Sequence, residues 1–122
     1  MFNHVLCRLG IEFTYVDTRD ERTTAAAIRD ETRLVHFETS TNPMMRVCDI
    51  RSAAEIVHDA GALLSVDNTF VSPYNQQPLE LGADFSLHSS TKYINGHSDV
   101  VGGLVAVRED ELAEQLLVIR KS

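Results

Sequence analysis

Apolar and polar positions along the chain change period several times, and each change marks an element. Phe2, Val5, Leu6 and Leu9 recur at helical spacing, and Gly10 stands where a left-handed helix cap is expected. From Ile11 to Val16, Ile11, Phe13 and Tyr15 alternate with Glu12 and Thr14, which predicts a strand. Thr18 and Glu21 have capping-box spacing and predict an alanine-rich helix to about Arg29. Leu34 to Phe37 predicts a short buried strand. Asp49 to Ala60 predicts a helix with Ile50, Ala53, Ala54 and Val57 on one face, closed by Gly61. Strands are predicted at Leu63 to Val66, Asp84 to His88 and Leu104 to Val107. Leu112, Ala113, Leu116 and Ile119 then return to helical spacing.

Strand, helix and strand in this rhythm predict an α/β domain with a largely parallel sheet. Ligands of such sheets sit beyond the carboxyl ends of the strands. Three groups of polar residues fall there: Asn42 after the Leu34 strand, Asp67 after Val66, and Ser89 to Lys92 after His88. The patterns at both termini are helical without a start or stop signal, so the chain is expected to be truncated at both ends.

Composition narrows the function without naming it. The 122 residues suffice for a real core, with 43% apolar and 24% charged residues. A net charge of −7 without a basic cluster argues against nucleic acid as partner. No apolar run reaches membrane-spanning length, and the first residues lack the layout of a signal peptide. Cys7 and Cys48 fit no metal or redox spacing and are expected to be buried free thiols in a reducing, cytoplasmic setting. No metal site is expected, since His88 and His97 have neither the i, i+4 spacing nor converging carboxylates. Met44 and Met45 read as packing residues.

Only two of the eleven cationic side chains are lysines, and Lys92 follows Ser89, Ser90 and Thr91 directly. Lysine, unlike arginine, can lose its proton and act as a nucleophile. The plain alternative is a solvated lysine on a polar surface loop. A partly desolvated amine condenses with an aldehyde to an imine. The neighbouring hydroxyls suit a phosphate, and Asp67 offers a carboxylate at the next strand end. Amine, hydroxyls and aspartate together describe the requirements of pyridoxal 5'-phosphate, whose ring nitrogen wants an acidic partner.

The stretches "DFSLHSSTKYINGHS" (Asp84 to Ser98), "SVDNTFVSPYNQQPLELGAD" (Ser65 to Asp84) and "FETSTNP" (Phe37 to Pro43) resemble the Cys/Met-metabolism family of pyridoxal-phosphate enzymes, the transsulfuration group. The likeness runs from Phe2 to about Ile119, with the three blocks at matching spacing. It implies that residues 1–122 are the central part of the large, mostly parallel-sheet domain of a fold-type I (aspartate-aminotransferase-like) enzyme. By the same resemblance, Lys92 is the catalytic residue that forms the imine and then carries protons. Asp67 pairs with the ring nitrogen, Asn42 meets the phenolic oxygen or the ring face, and Ser89 and Thr91 bind phosphate. Ser40 departs from the family's usual proline before Thr41 and Asn42, which predicts a looser turn. Family members have a longer chain, whose other parts supply a glycine-containing phosphate loop, a stacking tyrosine and a substrate-binding arginine. The resemblance further implies small amino-acid substrates and assembly as a homodimer or homotetramer. It implies cystathionine γ-synthase or cystathionine γ-lyase chemistry, on activated homoserine or sulfur amino acids. O-acylhomoserine sulfhydrylase, cystathionine β-lyase and methionine γ-lyase chemistry share the same Lys-Asp core. An inactive remnant that keeps the fold is the alternative of another class.

Overall fold

Short apolar segments rich in branched residues pair side by side and become the sheet. In the computed structural model, which describes residues 5–121, these are β1 (Leu34–Glu38), β2 (Leu63–Asp67), β3 (Phe85–Ser89) and β4 (Gly103–Val107). They lie in the order β1-β2-β3-β4. β1, β2 and β3 run parallel, whereas β4 turns back antiparallel along β3. In register, Phe37 stands beside Val66 and Val66 beside Ser86, while Glu38 stands beside Asp67 and Asp67 beside Leu87. Because side chains alternate across a strand, the first row faces one side and the second row the other.

The first side is covered by helix α2 (Ile50–Asp59). Asp49 caps it by accepting the backbone N–H groups of Arg51 and Ser52 at 2.9 and 3.2 Å. Its predicted face, Ile50, Ala53, Ala54 and Val57, packs with Phe37, Leu64, Val66 and Ala83 as the core. Two alanines on that face let the helix come close to the chain beneath it. At Gly82 (φ 108°) a Cβ would lie 2.8 Å from the Cβ of Ala54, so only glycine fits there.

Helix α1 (Glu21–Ala27) is capped by Asp20, whose carboxylate accepts the N–H of Arg22, and not by Thr18 as its spacing predicted. It also ends earlier than predicted. Ile28 leaves the helix with an extended backbone and packs against the core. A short helix, α3 (Ser72–Asn75), follows β2, and α4 (Asp110–Lys121) closes the described chain. No described helix is long and apolar enough to cross a membrane.

Four expectations need correction. The first predicted helix is a single 3-10 turn, Leu6–Leu9, ended by Gly10 in the left-handed conformation at φ 79°; Phe2 lies outside the described residues. Ile11 to Val16 is not among the four strands of the sheet, and Ile11 and Tyr15 are exposed. Alternation marks a segment fit for a sheet, but it does not by itself set the extended pairing geometry that makes a strand. Cys7 is exposed, because its short turn carries no buried residue. Met44 and Met45 are exposed on the turn after β1.

Buried polar side chains hold the strands in register. The Oδ2 of Asp84 accepts the N–H of Leu64 at 2.7 Å and lies 2.9 Å from Nε2 of His58, linking β2, the start of β3 and the last turn of α2. Near the other end of β3, His88 is buried with its Nε2 3.1 Å from the Ser86 hydroxyl. Burial pushes the imidazole below its ordinary value, against a smaller upward pull from the Asp67 charge. The folded protein therefore holds this ring neutral where the unfolded chain would already take up a proton. Its contribution to stability is complete above about 6.5, the ordinary value, and is lost as pH falls toward the depressed folded value. Urea midpoints measured at pH 7 and pH 5 should therefore fall less in His88→Gln than in the parent. An equal or larger fall would contradict the assignment.

Candidate active site

Parallel strands end at one edge of a sheet, so the residues that follow β1, β2 and β3 emerge together. Glu38, Asp67 and Ser89 are the last residues of these strands and fall on the face opposite α2. The structure thus brings Asp67 and Ser89 to one edge, with Asn42 four residues beyond the end of β1 and Lys92 three beyond the end of β3.

Hydrogen bonds hold the turn after β1, around Ser40. Thr41 donates its N–H to Arg46 O at 3.0 Å, and Met45 donates to Thr41 O at 2.7 Å. Cys48 N–H donates to Thr39 Oγ1 at 3.1 Å, and Asn42 N–H donates to the Glu38 carboxylate at 3.2 Å. The Thr39–Ser40 and Asn42–Pro43 peptide bonds are cis, and Ser40 is buried. Asn42 itself is exposed.

Beyond β2, the chain bends through Asp67, Asn68 and Thr69. Thr69 N–H donates to Asp67 Oδ1 at 2.9 Å, which orients the carboxylate and leaves Oδ2 open. The Thr69 hydroxyl accepts the N–H of Ser89 at 2.7 Å, joining the ends of β2 and β3. Asn68, by contrast, is fully buried. Its Nδ2 donates to Gln76 O at 2.8 Å, while Gln76 Nε2 donates to Asn68 Oδ1 at 2.7 Å and to Thr39 O at 3.3 Å. One amide pair thereby ties the turn after β1 to the loop after β2.

The loop after β3 is pinned by backbone bonds. Ser90 N–H donates to Gly102 O at 3.0 Å, Lys92 N–H to Ser89 O at 3.2 Å, and Gly96 N–H to Lys92 O at 3.2 Å. Gly102 N–H donates to Thr91 Oγ1 at 3.0 Å, and the Thr91 hydroxyl points back to Gly102 O across a weak 3.4 Å. A Cβ at Gly102 would lie 2.6 Å from Ser90 Oγ, so a larger residue there would turn the Ser90 hydroxyl away. Phe70 and Tyr93 meet edge to face with centroids 6.1 Å apart, resting the lysine loop on the loop after β2. Lys92 is exposed and forms none of the ion pairs among the described residues.

Thr69, Asn68 and Gln76 were not among the residues expected from the amino-acid order. A signal was present at the first two: Asp-x-Thr at the end of an apolar strand is Asx-turn spacing. Gln76 gave no local signal, because its partners are 8 and 37 residues away in sequence. A cavity of about 320 Å³ opens elsewhere, between the segment Tyr15–Arg19 and the turn after β1. It is lined by residues such as Asp17, Arg19, Glu38, Arg46 and Cys48, and by none of Asp67, Ser89, Thr91 and Lys92. Cys48 donates its thiol to Thr18 O at 3.1 Å, and burial pushes that thiol up, so it is not a nucleophile at neutral pH.

An amine, an open carboxylate oxygen and two hydroxyl-bearing residues at one sheet edge are the donor set that an aldehyde, a basic ring nitrogen and a phosphate require. The residues present therefore fit pyridoxal phosphate. Comparison with known proteins agrees. The family described as "Cys/Met metabolism PLP-dependent enzyme" matches residues 1–122. Cystathionine gamma-lyase of Bacillus subtilis is 53% identical over 118 residues, 97% of this chain and 31% of that protein. A probable cystathionine gamma-synthase of Herpetosiphon aurantiacus is 44% identical over 122 residues, 100% of this chain and 38% of its own length. The crystal structure of metB from Corynebacterium glutamicum superposes with a TM-score of 0.94 at 50% identity, covering 97% of this chain and 31% of that one. The chain thus spans about a third of the length of these relatives. With a matching fold and likeness along its whole length, the chain belongs to the Cys/Met metabolism family of pyridoxal-phosphate-dependent enzymes.

Proposed function

We propose that the chain is the central part of the large cofactor-binding domain of a transsulfuration enzyme of γ-lyase or γ-synthase type, acting on cystathionine or on activated homoserine. The observation that carries this reading is the meeting of Asp67 and the Ser89–Lys92 segment at the carboxyl edge of one parallel sheet. The two relatives named above, a γ-lyase and a probable γ-synthase, support this branch. The intact protein is proposed to take small amino-acid substrates, to assemble as a homodimer or homotetramer and to work in the cytoplasm.

Lys92 would hold the cofactor covalently, Asp67 would face its ring nitrogen, Asn42 its phenolic oxygen or ring face, and Ser89 and Thr91 its phosphate. When bound, pyridoxal phosphate supplies an electron sink for a carbanion at the substrate α-carbon. The rest is work for this chain's own groups. The Asp67 carboxylate, steadied through Oδ1 by Thr69 N–H, would face the ring nitrogen and favour its protonated form. The Thr91 proton is only weakly engaged by Gly102 O and can turn to an anionic oxygen, while its oxygen still accepts from Gly102 N–H. Once released from its covalent role, the Lys92 amine can accept a proton at Nζ and return it, since its loop leaves it exposed.

Three experiments on the intact protein test this. Borohydride reduction with peptide mapping should label Lys92 with a pyridoxyl group and leave Lys121 unlabelled; a label confined to Lys121, or none, would sink the assignment. Asp67→Asn should keep the cofactor but lower turnover on the order of a hundredfold, because the amide carries no charge; near-normal turnover excludes the role. Product analysis then separates the reactions. Formation of 2-oxobutyrate and cysteine from cystathionine identifies γ-lyase chemistry, and cystathionine from an activated homoserine with cysteine identifies γ-synthase chemistry. Homocysteine from sulfide alone would defeat both, and no product at all would favour an inert remnant.

A further inference from the structure

Two of the groups just assigned, Asp67 and Ser89, lie on different strands and would meet different parts of the cofactor. A single residue touches both. Thr69 donates its N–H to Asp67 Oδ1 at 2.9 Å, and its hydroxyl accepts the N–H of Ser89 at 2.7 Å. The second bond is the shorter, and it spans 20 residues of sequence, so it is tertiary and not an accident of local chain geometry. Thr69 is half-buried, and β2 and β3 are paired as far as Asp67 and Leu87. Beyond that point the Thr69 hydroxyl takes over from the ladder. Asn68 N–H, donating to Leu87 O at 2.9 Å, is the last main-chain link between the two strands. Past it, the threonine side chain supplies the acceptor for Ser89 N–H that a strand carbonyl would otherwise provide.

We infer that Thr69 is a positioning residue that sets the distance between the ring-nitrogen partner Asp67 and the phosphate-side residue Ser89. Fixing both ends of the cofactor from one three-residue turn lowers the cost of ordering them at binding. Valine keeps the shape and β-branching of threonine but removes the acceptor, leaving the Ser89 N–H without its partner. Serine keeps the hydroxyl. The aromatic contact of Phe70 with Tyr93 is a separate tie between the same loops, so the loops stay together when the hydroxyl is removed.

This inference rests on the cofactor reading, and the test separates the two. Pyridoxal phosphate is titrated into the apo form of the intact protein, followed by absorbance, for the parent, Thr69→Val and Thr69→Ser, each checked for folding by circular dichroism. The dissociation constant should rise about tenfold in Thr69→Val and stay within about twofold of the parent in Thr69→Ser. Combined with Asp67→Asn, Thr69→Val should weaken binding by less than the sum of the two single effects, because both act through one turn. A role in stability alone would lower the melting temperature and leave the dissociation constant of folded protein unchanged. Equal affinity of the folded valine variant and the parent, or strict additivity with Asp67→Asn, would overturn the inference. If Thr69→Val does not fold, Thr69→Ala carries the same comparison: weaker binding supports the inference and parental affinity overturns it. A parent that takes up no pyridoxal phosphate would instead overturn the functional reading itself.

Discussion

Everything at the candidate site depends on the parallel pairing of β1, β2 and β3. Parallel strands share a direction, so their carboxyl ends lie along one edge, and the ladder places Glu38 beside Asp67 and Asp67 beside Leu87. Each strand then hands its loop to the same region of space. An antiparallel neighbour would send its polar end to the far side of the sheet. β4 does run antiparallel, and it begins rather than ends at this edge, with Gly103 beside Ser89. It thereby returns the lysine loop to the sheet where that loop left it.

The register that makes this possible is held from beneath. α2 packs Ile50, Ala53, Ala54 and Val57 onto Phe37, Leu64 and Val66, and Gly82 gives Ala54 the room to approach. A one-residue slip of β2 would carry Leu64 and Val66 off the core and turn Asp67 into it. Asp84 guards against that slip at the amino end of the pair by accepting from Leu64 N–H. At the carboxyl end, Asn68, Gln76 and Thr69 take the same part. The site is thus a set of polar loops whose positions are inherited from an apolar platform and secured by a few hydrogen bonds between them.

This division explains which residues can act and which cannot. Cys48 and His88 carry reactive groups, but burial keeps the thiol protonated and the imidazole neutral. Lys92 and Asn42 stand exposed above the edge. Asp67 lies between these extremes, half-buried, with one carboxylate oxygen held and the other open. A carboxylate in that position is oriented and still accessible.

The elements with strong periodicity were legible in the amino-acid order alone. α2 and its four core residues, the strands β1 to β4 and the α4 pattern follow from spacing, and for α2 the reason is that burial of one face imposes a fixed period on the residues that meet it. The candidate residues were legible too, since polar groups at strand ends and a long motif around Lys92 need no coordinates to be noticed. Tertiary structure alone decided the rest. Ile11 to Val16 has a strand's alternation and is not one of the four strands of the sheet, because alternation alone does not fix where a segment lies against its neighbours. Thr18 lost the helix cap to Asp20, and α1 stopped at Ala27 because Ile28 was claimed by the core. Gln76 and Thr69 matter through partners 37 and 20 residues away. Periodicity is a property of neighbours along the chain, whereas a hydrogen bond between loops is a property of the space into which the whole sheet brings them.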